Sequence, residues 1–94
     1  MGDELQIINT QLRTIEKPGY QYEDVLHKLT PVISNLLDTD MNGLMNILYR
    51  VDVSEKKFRE TFATGKPEKI AEMIARLIVD RHLEKTVTRK KYSS

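Results

Sequence analysis

Apolar residues recur at intervals of three and four along most of this sequence, and no strand-like alternation of apolar and polar residues is sustained. The strongest stripe has the spacing of a core-facing helix and comprises Ile70, Met73, Ile74, Leu77 and Ile78. The pattern predicts an all-α fold: a compact bundle of about five helices with a long C-terminal helix.

Small polar residues, proline and glycine mark where the predicted helices begin and end. The dipeptide Pro18-Gly19 ends the first helix, because proline cannot continue a helix and glycine favours a turn. Asp40 and Ser54 are suitable N-caps for the third and fourth helices, since their side-chain oxygens can accept from free backbone N–H groups. Gly65 closes the fourth helix just before the fifth begins.

The second helix begins near Tyr22 and contains a proline, Pro31. Proline removes one backbone hydrogen bond from a helix, so a kink near residues 26–30 is expected. The alternative is a true break, in which Thr30 caps a new helix that starts at Pro31. The sequence leaves both outcomes open.

The apolar stripes predict which side chains form the core. The predicted core residues are Leu36, Leu44, Leu48, Phe58, Ile74, Leu77 and Ile78. Chain length favours a single domain, which we place at residues 1–88, followed by a basic C-terminal tail at residues 89–94.

The fifth helix carries a second apolar ridge beside the first, formed by Val79, Leu83 and Val87. A helix that is apolar on two sides is either central in its own bundle or shared with another subunit. We predict this ridge as an interaction surface, with Phe62 and Tyr49 as neighbours and a homodimer as one form of it. The alternative is that all of these side chains lie in one monomeric core.

Composition sets the class of protein that we expect. The chain has no cysteine, which excludes disulfides and thiolate metal sites. No apolar run approaches the ~20 residues that span a bilayer. The first residues are acidic, whereas a signal peptide begins with a basic region followed by an apolar one. We therefore expect a cytoplasmic protein with no membrane association.

Charge is divided unevenly along the chain. Residues 1–53 carry four Lys and Arg residues against eight carboxylates, whereas residues 54–94 carry eleven against six. The excess of positive charge in the second half indicates either a basic tail that binds a partner or two halves of the chain that attract each other.

One string in the chain is similar to the opening of a calcium-binding loop. Asp38, Asp40 and Asn42 have the alternate spacing of its oxygen ligands, and a glycine follows. The twelfth position should be a glutamate and is Tyr49, and helical spacing resumes directly after the glycine. We interpret these residues as loop and capping residues between two helices, and we predict no metal site.

Catalytic motifs are absent from the sequence. The chain has no cysteine nucleophile, no Gly-x-Ser-x-Gly turn, no phosphate-binding glycine loop and no His-Glu-x-x-His. Its two histidines, His27 and His82, lie on different predicted helices. We therefore expect neither enzymatic activity nor a cofactor.

The C-terminal end is the most basic part of the sequence, with Lys85, Arg89, Lys90 and Lys91 close together. Such a cluster attracts phosphate backbones, although it also suits the negative end of a helix dipole. Nucleic-acid binding through these four residues is therefore an alternative function.

The segment Leu48–Glu55, together with the helix from Pro67 to Lys85, resembles small all-helical bacterial proteins of uncharacterised function. The resemblance implies a bacterial cytoplasmic protein and brings no catalytic residue with it. From the whole sequence we predict a small helical module for protein–protein interaction or regulation, with an unknown protein as partner.

Overall fold

The computed structural model describes the backbone of residues 3–92 and the side chains of residues 3–66 and 69–86. Within residues 3–92 it contains five helices and no strand, which confirms the predicted all-α bundle. The helices are α1 (Asp3–Thr14), α2 (Tyr22–Thr39), α3 (Met41–Val51), α4 (Glu55–Thr64) and α5 (Pro67–Tyr92).

Helix α2 lies at the centre of the packing, because it contacts α1, α3 and α5, while α4 packs against α5. The buried face of α5 includes two alanines, Ala71 and Ala75, whose small side chains allow a neighbouring helix to approach closely. Only one polar side chain among the described residues, Thr61, is buried, and its hydroxyl donates to the carbonyl of Lys57.

Six of the seven predicted core residues are buried, which confirms most of the core prediction. These six are Leu36, Leu44, Leu48, Phe58, Ile74 and Ile78. The seventh, Leu77, is only partly buried, whereas Val79 is 0% exposed. The buried stripe of α5 therefore runs through Ala71, Ile74, Ala75, Ile78 and Val79, one position later than the sequence pattern predicted.

Helix α5 extends along nearly the whole molecule. Its 26 residues correspond to ~39 Å at ~1.5 Å per residue, and the longest dimension of the molecule is 41 Å. The β-branched residues Thr86, Val87 and Thr88 disfavour a helix, but they do not end α5. The backbone is helical up to Tyr92, so it shows no interruption at the predicted boundary between residues 88 and 89.

Pro31 lies inside one continuous helix, so the alternative of a true break at this position is excluded. The hydroxyl of Thr30 donates to the carbonyl of Leu26 at 2.7 Å, an i to i−4 contact that commonly accompanies bending of a helix. The side chain of Pro31 is exposed, which places the ring on the solvent side of α2.

Both predicted N-caps are present. The Asp40 carboxylate accepts from the backbone N–H of Gly43 at 2.9 Å, and the Ser54 hydroxyl accepts from that of Lys57 at 3.4 Å. Gly65 ends α4, and a methyl group added there would lie 2.6 Å from the carbonyl oxygen of Thr61. Local sequence signals therefore explain these three helix ends.

The turn after α3 is closed by a left-handed residue, Asp52, with a φ of +67°. Its N–H bonds to the carbonyl of Tyr49, and the N–H of Val53 bonds to that of Leu48, which is a Schellman motif. Arg81 of α5 donates to both the carboxylate and the carbonyl of Asp52, each at 3.0 Å. These bonds compensate for the backbone strain and attach the turn to α5.

Contacts of α5 with the acidic first half of the chain support the second interpretation of the charge asymmetry. Arg81 pairs with Asp52 at 3.0 Å, and Arg76 lies 3.8 Å from Glu23. Both pairs are substantially exposed, so each contributes little to stability. The two halves therefore attract each other, but weakly at these positions.

Candidate functional site

A groove runs between α1 and α3, which both pack on α2 but do not pack closely on each other. One end of this α1–α3 groove is a small cavity of about 180 Å³. Its apolar lining consists of Leu5 from α1, Leu36 from α2 and Ile47 from α3, beside Gly43. Leu5 is 38% exposed because it forms one wall of this open groove.

The other end of the groove is larger and basic. It encloses about 580 Å³ and places Arg13 of α1, Arg50 of α3 and Lys85 of α5 around one opening. Leu12 and Val51, both buried, contribute to the lining. Arg50 lines both cavities, so the apolar and basic ends belong to one groove.

The two arginines in the groove differ from the other arginines whose side chains are described. Arg59, Arg76 and Arg81 each form an ion pair with at least one carboxylate. Within residues 3–66 and 69–86, neither Arg13 nor Arg50 forms an ion pair or donates a hydrogen bond. Among the described residues, the guanidinium groups without an ion pair are therefore concentrated at one place on the protein surface.

The up-and-down course of the chain explains why these cations meet. Arg13 and Arg50 lie in the last turns of α1 and α3, where positive charge suits the negative end of the helix dipole. Helix α2 connects α1 to α3 and runs in the opposite direction to both. Helices α1 and α3 therefore run in the same direction, and their last turns lie side by side. Lys85, late in α5, joins them and donates to the carbonyl of Val51 at 3.4 Å.

Glu16 and His82 form a contact at the same end of the groove. The Nε2 atom of His82 lies 3.4 Å from a carboxylate oxygen of Glu16, in a geometry that does not make a hydrogen bond. The His82 side chain is mostly buried, so this atom is a polar group at the wall of the groove. Glu16 offsets part of the positive charge of the three cations.

The residues of the predicted apolar ridge have different environments. Val79 is fully buried, so it belongs to the core of the single chain and is removed from the interaction surface. Leu83 is partly buried and packs against the same core, and Val87 lies outside the residues whose side chains are described. Of the two predicted neighbours, Phe62 packs on the core and Tyr49 is 59% exposed.

The calcium-loop-like string has no loop geometry. Asp38 is the penultimate residue of α2, Asn42 lies in the first turn of α3, and Asp40 between the two helices is the N-cap. The capping interpretation of Asp40 is therefore confirmed. In the described part of the chain, no group of three or more His, Asp or Glu residues is placed to hold a metal ion.

Lys85 is the only member of the predicted nucleic-acid contact whose side chain is described. It lies in the basic end of the groove with Arg13 and Arg50, which sequence reasoning did not associate with it. The side chains of Arg89, Lys90 and Lys91 fall outside the described residues.

A second polar cluster connects the start of α2 to the middle of α5. The Tyr22 hydroxyl donates to a carboxylate oxygen of Asp80 at 2.8 Å, and the Arg76 guanidinium lies 5.9 Å from the centre of the Tyr22 ring. Partial burial of the phenol, followed by its hydrogen bond to Asp80, raises the pKa of Tyr22 above its ordinary value of 10.0. All of these groups have partners in the chain, so the cluster stabilises helix packing.

Comparison with known proteins gives no relative. No protein-family model matches this chain, and neither a curated protein nor a solved structure matches it. The resemblance to small helical bacterial proteins therefore stays a prediction. Among the residues that the structure describes, none of the helices has the length and apolar character required to cross a membrane.

Proposed function

We propose that this protein is a small, non-catalytic interaction module of the bacterial cytoplasm that binds a protein partner in the α1–α3 groove. The observation that carries the proposal is the combination of the exposed Leu5 with two arginines, Arg13 and Arg50, that have no ion pair among the described residues, along one groove. Interfaces join apolar contacts with directed polar ones, and arginine is enriched in them.

Among the described residues, exposed large apolar side chains occur on the two helices that form the groove, and of these side chains only Leu5 lines the groove. The four large apolar side chains that are exposed among the described residues all lie on α1 and α3, and they are Leu5, Ile7, Met41 and Tyr49. A partner that covers the α1–α3 groove would remove part of this surface from water, which contributes about 25 cal/mol per Å².

Two exposed aliphatic residues of α1, Leu5 and Ile7, provide a matched test of the groove as the binding site. Leu5 and Ile7 are 38% and 40% exposed, but they lie about 160° apart around the helix, and only Leu5 lines the groove. We expect a partner captured from the native host by the wild-type protein to be retained by Ile7→Asp and lost by Leu5→Asp. Equal capture by all three proteins, as measured by quantitative mass spectrometry, would refute the groove as the binding site.

A second copy of the chain is one form that the partner can take. In that case sedimentation analysis of the wild-type protein shows a concentration-dependent dimer. Leu5→Asp then shifts the protein to monomer, while Ile7→Asp leaves the dimer intact.

Nucleic-acid binding is a second candidate, and the meeting of Lys85 with Arg13 and Arg50 favours it. Three phosphate contacts on duplex DNA would give a slope of about −2.7 for log affinity against log salt concentration. Absence of a mobility shift with DNA or RNA at low salt would eliminate this candidate.

A further inference from the structure

We propose that the partner segment in the α1–α3 groove is an acidic amphipathic helix, whose carboxylates contact Arg13, Arg50 and Lys85 and whose apolar side chains contact Leu5 and Ile47. This inference rests on the proposed function and adds the chemical class of the partner. It follows from the charge, the shape and the backbone environment of the groove.

The charge argument concerns which groups in the groove lack a partner. The carboxylates at the apolar end are already used, since Glu4 accepts from Asn35 at 2.7 Å and Asp40 caps α3. The guanidinium groups of Arg13 and Arg50 have no carboxylate among the described residues. A planar guanidinium matches a carboxylate with two parallel hydrogen bonds, so carboxylates from outside the chain are the fitting ligands.

The shape argument concerns length and backbone. From Leu5 to Arg13 the α1 wall of the groove measures ~12 Å at ~1.5 Å per residue, so a helix of about 8 residues or more can lie along it. An extended peptide usually binds by adding a strand to the edge of a sheet, and residues 3–92 contain no strand. A helix satisfies its own backbone groups and therefore suits a groove whose walls are helices.

The groove lining favours a peptide over a nucleic acid. Cations suit phosphates as well as carboxylates, but single-stranded nucleic acids also use aromatic side chains on which bases stack. No aromatic side chain lines either end of the groove among the described residues. Leu5, which is 38% exposed in the groove, would remain without an apolar contact under a phosphate backbone.

The test is selection of short peptides from a displayed random library of about 12 residues, which is long enough to span the groove, against the intact protein. We expect the selected peptides to carry two or more carboxylates beside apolar residues at helical spacing. Their affinity should fall at least tenfold for the double variant Arg13→Glu/Arg50→Glu, which removes both guanidinium contacts. It should stay unchanged for Arg59→Glu, a control on α4 whose arginine pairs with Glu55.

A charge exchange makes the test specific. Peptides in which the carboxylates are replaced by lysine should bind the double variant better than the wild-type protein, while circular dichroism verifies that the double variant is folded.

If the selected peptides lack carboxylates but still depend on Leu5, the proposed function stands and this inference fails. If single-stranded or duplex oligonucleotides bind more tightly than every peptide and lose affinity with the double variant, the partner is a nucleic acid. If no selected peptide depends on the groove, both proposals fail.

Discussion

Two adjacent residues of α5, Leu77 and Ile78, allow a direct test of which face of this helix is buried in the core. Ile78 is 0% exposed, whereas Leu77 is only partly buried and lines an open depression. Truncation of a buried isoleucine to alanine costs about 2–5 kcal/mol, because it combines lost burial with a cavity. The cost at Leu77 should be about 1–2 kcal/mol, since part of its side chain already contacts water.

The difference should be easy to measure in a domain of this size. A loss of 1 kcal/mol lowers the melting temperature by ~4–8 °C, so Ile78→Ala should melt at least about 8 °C below the wild-type protein. Both substitutions place alanine in the middle of the same helix, which nearly cancels differences in helix propensity. Urea denaturation followed by circular dichroism provides the free energies. If Leu77→Ala were as destabilising as Ile78→Ala, the assignment of the buried face of α5 would be wrong.

Three further predictions concern individual side chains. Arg50→Gln should leave the free energy of unfolding unchanged or raise it in urea titration, because Arg50 has no ion pair among the described residues and lies beside other cations. Tyr22 should ionise above pH 10.0 in an NMR titration, and Asp80→Asn should lower its pKa. Because the pKa is raised in the folded state, the stability from Tyr22 is complete below pH ~10 and is lost as the pH rises through the folded value. Gly65→Ala should destabilise the protein by about 1–3 kcal/mol in urea, since the added methyl group would lie 2.6 Å from the carbonyl of Thr61.

Helix ends could be predicted from the sequence because their causes are local. Asp40 and Ser54 each act on a backbone group three residues away, so the order of residues already contains the interaction. The left-handed turn at Asp52 was not predicted, because glycine usually occupies this position and Arg81, distant in sequence, supports the aspartate.

The residues that form the buried face of α5 could not be determined from the sequence alone. Apolar residues cover more than half of its circumference between residues 70 and 79, so several stripes fit the pattern equally well. The positions of neighbouring helices decide that Val79 is buried and Leu77 is not. The buried alanines, Ala71 and Ala75, were the available signal, since small residues mark close helix contacts.

The basic end of the groove was missed for a similar reason. Arg13 and Arg50 each suit the end of their own helix, and nothing in the local sequence indicates that they approach Lys85. Their convergence depends on the direction of three helices and on which helices are neighbours. In an up-and-down bundle, cations in the last turns of alternate helices gather at one end, and this rule could have identified the site.

Amide chemical shifts recorded during titration with a selected acidic peptide test the central claim most directly, because they locate the bound surface without any substitution. We expect the largest changes at Leu5, Arg13, Ile47 and Arg50, along the walls of the α1–α3 groove. Residues of α4 such as Arg59 should show little change. Changes concentrated on α4, or spread evenly over all helices, would contradict the assignment of the groove as the binding site.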